Sequence, residues 1–234
     1  MSSVSLRGLC LVLLIPVVLV SACTPDESAP ESQKDGAVDS RPVAPGREGQ
    51  TFVYQCGDGT QFTARLEGET AWLFLPAGTV SLPHVSAASG AKYSDGKTMF
   101  WSKGETAMVA RTDRERTECT NNRSKAIWED AKLRGADFRA TGNEPGWHME
   151  ISRSDGISLV TNYGSERYQF AATEPSSNQA TRTTTYEAKQ NGHELMISLT
   201  AKRCADSMSG EQFETTVIVT IDGNELNGCG KPLH

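Results

Sequence analysis

Short runs of mixed apolar and polar residues, cut by tight turns, dominate the chain from residue 51 onward. The runs at 61–66, 70–75, 79–85, 98–103 and 105–111 read as short strands. Gly57-Asp58-Gly59, Glu67-Gly68-Glu69, Pro76-Ala77-Gly78 and Asp95-Gly96 supply the turns between them. Regular short strands of this kind predict an antiparallel barrel or sandwich. One stretch, "SGAKYSDGKTMFWSKG" at 89–104, departs from the pattern. A glycine-bearing loop and the Asp95-Gly96 turn lead into Met99-Phe100-Trp101, three large apolar residues in a row, and then an isolated Lys103-Gly104. That predicts either a well-stapled hairpin or a device that offers Ser89 and Lys103 to a partner.

The period then changes. In "NNRSKAIWEDAKLRGADF", Asn121, Asn122 or Ser124 can cap a helix, the middle is rich in helix formers, and Gly135 fits the stop. Beyond it Trp147, Met149 and Ile151 alternate and Asp155-Gly156 turns, while "HELMISLTAKRC", "FETTVIVTIDGNEL" and "NGCG" complete a second strand-rich unit. The expected fold class is all-β: two small antiparallel β-barrel-like domains joined by a short helix, preceded by a signal peptide and a disordered linker. No helix is long enough to suggest an α/β fold.

The N-terminus reads as a targeting segment. Arg7 precedes the apolar core "LCLVLLIPVVLV", which Pro16 interrupts and which falls short of the ~20 residues that a spanning helix needs. "VSAC" then resembles a bacterial lipobox, which implies lipidation of Cys23. Thr24 after the cysteine, where an aspartate would imply inner-membrane retention, implies the outer membrane. The next stretch, rich in Pro, Ser, Asp and Glu, cannot bury a core and reads as a spacer. The expected organisation is signal peptide 1–22, lipidated linker 23–50, first β-domain 51–120, linking helix 121–135 and second β-domain 136–234.

A net charge of −6 over 234 residues argues against a nucleic-acid partner and favours basic ones. Of the six cysteines, Cys10 leaves with the leader and Cys23 takes the lipid; Cys56, Cys119, Cys204 and Cys229 remain. An even number in an exported protein reads as disulfides, with three connectivities open. We expect Cys56–Cys119 and Cys204–Cys229, since each pair brackets one β-unit. There is no CxxC pair, GxSxG elbow, phosphate-binding glycine loop or HExxH. His84, His148, His193 and His234 lack ligand spacing. No metal, cofactor or enzymatic activity is expected.

"YQCGDGTQF…SGAKYSDGKTMFWSKGETAMV…C" resembles the membrane-bound lysozyme inhibitors of c-type lysozyme, over residues 51–119. The resemblance implies an eight-stranded barrel, often an envelope lipoprotein, whose serine and lysine enter the lysozyme cleft. In this sequence those residues are Ser89 and Lys103, with Tyr93 beside them and Gly90 and Gly104 allowing close approach. The implied function is an envelope-anchored inhibitor of c-type lysozyme that faces the periplasm. The alternative is a non-inhibitory structural or ligand-binding envelope lipoprotein, with peptidoglycan as one ligand. Residues 126–233 resemble an uncharacterised β-domain of bacterial envelope lipoproteins, from which no role is carried over. There, Asn143, Glu144, Pro145 and Trp147 read as a capped turn with a buried aromatic, in preference to a ligand groove lined by Glu144, Trp147 and Asp206.

Overall fold

Eight strands close into a barrel: β1 (Gln50–Cys56), β2 (Gln61–Glu67), β3 (Thr70–Leu75), β4 (Gly78–Val85), β5 (Ala91–Ser94), β6 (Thr98–Lys103), β7 (Thr106–Arg111) and β8 (Arg114–Asn121). Each pairs antiparallel with the next, and β8 returns to β1, so no edge is left open. The computed structural model describes residues 48–112 and 114–234. The leader, Cys23 and the spacer as far as residue 47 lie outside the described residues. Gln50, assigned to the spacer by sequence, already pairs with Leu66 in the first ladder.

The barrel interior is filled by Tyr54, Phe62, Ala64, Ala71, Leu73, Leu82, Tyr93, Phe100 and Ala107. Large rings face small alanines, which lets the inner layer interlock within a narrow tube. Cys56 and Cys119 are direct partners across the β1–β8 seam and are joined by a disulfide. β5 and β8 were not predicted, because "AKYS" is short and flanked by glycine turns and "RERTECTN" is largely polar. The apolar triplet also obeys the alternation it had seemed to break. Phe100 is fully buried inside, while Met99 and Trp101 are half-buried on the outer wall.

The second region is a nine-stranded antiparallel sheet. Its strands are β9 (Phe138–Asn143), β10 (Gly146–Ser152), β11 (Gly156–Thr161), β12 (Glu166–Phe170), β13 (Ser176–Asn178), β14 (Thr183–Gln190), β15 (His193–Thr200), β18 (Thr215–Ile221) and β19 (Asn224–Pro232). The order β12-β11-β10-β9-β19-β18-β15-β14-β13 joins two meanders through the β9–β19 pair. The sheet curls around its own core of Phe138, Trp147, Met149, Leu159, Phe170, Ile197, Val217 and Val219. A two-stranded excursion, β16 (Cys204–Ala205) with β17 (Gln212–Phe213), carries Cys204 to its disulfide with Cys229 on β19. Both expected bridges are present.

Helix α1 (Arg123–Leu133) lies between barrel and sheet. Of the three candidate caps, Asn122 takes the role, its side chain accepting from Lys125 N–H at 3.1 Å. Gly135, in the left-handed region at φ 95°, ends the last turn. On one side Trp128 packs on Phe213, with ring centroids 5.1 Å apart, and the Lys231 ammonium sits 4.8 Å above the indole. On the other side Asp130 meets Arg65 of β2, a fully buried guanidinium, at 3.1 Å. Arg65 also bonds Glu67, at 2.8 Å, and Thr51, at 2.7 Å. Arg134, the C-cap of α1, bonds Asp130 at 2.8 Å and Glu150 of β10 at 3.0 Å, and Arg139 of β9 also bonds Glu150. One chain of charges therefore runs from barrel through helix to sheet. Burial works against the charge on Asp130, but hydrogen bonds from Arg134 and Thr51 and the Arg134 and Arg65 charges outweigh it, holding the carboxyl below its usual range.

Candidate functional site

The loop between β4 and β5 and the turn between β6 and β7 stand side by side at one end of the barrel. Ala91 pairs with Ser102, which brings Ser89 and Gly90 next to the last residues of β6. Gly90 has φ 70°, and a Cβ there would lie 2.3 Å from the Ser102 carbonyl oxygen. Only glycine tolerates both conditions. Trp101 Nε1 donates to the Ser89 carbonyl at 2.7 Å, and Lys92 Nζ lies 5.9 Å from the same indole. Trp101 thus clamps the loop from outside the barrel. An aromatic of the Phe100-Trp101 pair was expected to anchor the protrusion, and the outward-facing Trp101 does so through this bond.

Lys103 ends β6 and pairs with Thr106 across a turn made by Gly104, at φ 59°, and Glu105. Thr106 Oγ1 donates to the Lys103 carbonyl at 3.1 Å, closing the turn. Both Ser89 and Lys103 are exposed. Among the described residues, neither the Ser89 hydroxyl nor the Lys103 ammonium finds a hydrogen-bond or ion-pair partner. Glu105 is already engaged: Arg123 bonds one carboxylate oxygen and Asn121 Nδ2 the other at 3.1 Å. The Arg123 hydrogen bond, with help from Asn121, pulls the Glu105 carboxyl down to about 2. Beside Lys103 a groove of about 630 Å³ runs along the outer wall, lined by Trp101, Met108, Glu118 and Thr120.

Tyr93 takes a different place from Ser89 and Lys103. It is 5% exposed, packed in the barrel core between His84 and Phe100, with ring centroids 5.3 and 6.2 Å away. Burial, then the Glu69 charge, pushes its hydroxyl up. It supports β5 from inside. The structure therefore brings Ser89, Gly90, Lys103 and Gly104 to one exposed rim and sets Tyr93 beneath it.

In the second region Glu144, Trp147 and Asp206 do not line a common groove. Trp147 is buried over Gly142 and Gly228, where any Cβ would strike the indole, and its Nε1 donates to the Asn227 carbonyl at 3.2 Å. Asp206 accepts from the Ser209 and Met208 backbone at 2.7 and 3.0 Å and from Asn143 Nδ2 at 2.8 Å. These are the bonds of a capped turn. Glu144 is exposed at the cis Glu144–Pro145 bend. Among the described residues no cluster of three or more His, Cys, Asp or Glu is arranged to hold a metal ion, and no helix is long and apolar enough to cross a membrane.

The first region is thus a closed antiparallel barrel that presents a hydroxyl and an ammonium on one rim. The sequence model for "membrane-bound lysozyme-inhibitor of c-type lysozyme" matches residues 54–118, from β1 to β8. The membrane-bound lysozyme inhibitor of C-type lysozyme from Yersinia enterocolitica is 46% identical over 67 residues, 28% of this chain and 56% of that one. The protein of the same description from Pseudomonas aeruginosa is 30% identical over 104 residues, 42% of this chain and 80% of that one. This chain belongs to the membrane-bound lysozyme-inhibitor family, one of inhibitors and not of enzymes. It spans little more than half of the Yersinia relative. No solved structure matches the chain.

Proposed function

We propose that the protein is an envelope-anchored inhibitor of c-type lysozyme that places the Ser89 loop and the Lys103 turn in the catalytic cleft. The observation that carries this reading is their juxtaposition: a hydroxyl and an ammonium, both unpartnered among the described residues, on one glycine-shaped rim. Lysozyme works with two carboxylates, one kept as an acid and one ionised. A compact ammonium with three donors and a hydroxyl with one suit such a cleft. The family membership and the names of the two relatives support the same partner. The net charge of −6 would steer the inhibitor toward a basic lysozyme.

The anchor belongs to the same reading. A lipid on Cys23, in the outer membrane and facing the periplasm, would hold the barrel off the surface on its spacer. Converting Cys23 to Ser should free the protein from the membrane fraction. The soluble Cys23→Ser chain, added to a turbidity assay of lysozyme on cell walls, should slow the loss of turbidity. Unchanged lysis at roughly micromolar protein, where a specific complex should be populated, would leave the non-inhibitory reading standing.

A further inference from the structure

We propose that Arg123 is a positioning residue for Lys103 and acts through Glu105, so that the segment after the barrel keeps the ammonium of the binding turn available. The proposal rests on the inhibitory reading above. Glu105 follows Lys103 by two residues across a turn centred on Gly104. A lysine side chain is long and flexible enough to fold back on a carboxylate placed there. An ammonium paired within its own turn would have to leave that partner before meeting the carboxylates of a cleft.

The structure works against this by engaging Glu105 elsewhere. The Arg123 guanidinium engages Oε1, Asn121 Nδ2 donates to Oε2 at 3.1 Å, and the Asn121 backbone N–H donates to the Glu105 carbonyl at 2.8 Å. Each carboxylate oxygen already accepts one hydrogen bond. Arginine suits the task because it stays charged and presents a planar fork of donors. Arg123 opens α1, which Asn122 caps and which Asp130 and Arg134 tie to Arg65 of the barrel and Glu150 of the sheet. The guanidinium is therefore delivered by an element held on both sides. Both Asn121 and Arg123 lie beyond the residues 54–118 that match the family. The device belongs to the junction with the second region.

The test uses the full chain with Arg123→Ala, Arg123→Lys, Glu105→Gln and the Arg123→Ala/Glu105→Gln double variant. Each is measured as a lysozyme inhibitor beside wild type and Lys103→Ala, with a thermal melt to establish folding. Arg123→Ala should weaken inhibition roughly two- to fivefold, the scale of an exposed charge pair. Arg123→Lys should recover most of that loss. Glu105→Gln removes the competing carboxylate and sets the reference, so the double variant should inhibit as Glu105→Gln alone does. An Arg123→Ala protein equal to wild type overturns the proposal. So does a loss that persists with Glu105→Gln, which would place Arg123 against lysozyme itself. A wild type that fails to inhibit sinks the inhibitory reading instead, and NMR still decides the local claim. Lys103 side-chain resonances should follow the titration of Glu105 in Arg123→Ala and not in wild type; resonances indifferent to it in both proteins overturn the proposal.

Discussion

The β6–β7 end of the barrel and the β9–β10 end of the second sheet are built from similar material, and they use it in opposite ways. Each is a glycine-bearing hairpin end with polar side chains and a tryptophan nearby. Around β9–β10, Asn143, Asp206 and Ser209 satisfy one another, and Trp147 is sealed in the core. Around β6–β7, Trp101 lies outside, gripping a backbone carbonyl, and leaves Ser89 and Lys103 to solvent. The composition of a turn does not say which kind it is. What distinguishes them is whether the hydrogen bonds close within the protein.

The largest effects should fall on the staples and rank the two regions. Cys56 and Cys119 are separated by 63 residues, Cys204 and Cys229 by 25. In the chain-entropy account, replacing each pair by serine should cost about 4 kcal/mol for the first and about 3.5 kcal/mol for the second. Urea unfolding of the two double variants measures this; a larger loss for the sheet would reverse the ranking.

Next comes the rim itself. Lys103→Ala should weaken lysozyme binding by about 3 kcal/mol, roughly a hundredfold, as one side of a desolvated charge pair is lost. The catalytic acid of lysozyme has a pKa of ~6, and a bound ammonium must lower it. Wild-type binding should therefore be strongest above that value and weaken as pH falls toward the lower bound-state value. Lys103→Ala should show a flatter profile. Calorimetry between about pH 4 and 8 brackets the acid, and equal affinities for the two proteins would make Lys103 an ordinary solvated lysine. Glu105 and Asp130 do not confuse that series. Both carboxyls are lowered, so what they contribute is present above the ordinary carboxylate value and is lost only in more acid solution.

Ser89→Ala should cost about 2 kcal/mol of affinity, one hydrogen bond to a charged group. The smallest effect sharpens the contrast. Asn143→Ala should lower stability by about 1 kcal/mol while leaving inhibition unchanged, since its bonds serve the turn. A measurable loss of inhibition there would make the second region part of the binding face.

Much of this architecture was legible because it is local. Short apolar-rich runs between turn residues marked β2, β3 and β6, and a capping asparagine with a following glycine marked α1. The rim residues came through the resemblance, since no pattern of polarity separates Ser89 from any turn serine. What escaped is non-local. Arg65 and Asp130 are 65 residues apart and Glu105 and Arg123 are 18 apart, and in sequence each looks like a solvated charge. Tyr93 was placed beside the loop, whereas the register of β5 turns it inward. Four residues of strand gave no alternation to read.

The β9–β19 pairing has a consequence for the order in which the chain becomes structured. The last barrel strand ends at Asn121, and the partner that completes the second sheet ends at Pro232. Synthesis runs from the N-terminus, and domains generally fold as units in that order. The barrel can close while β19 has yet to appear, and until then β9 presents an open edge next to a finished neighbour. The second region must wait for β19, so loss of that strand would expose β9 while sparing every strand of the rim.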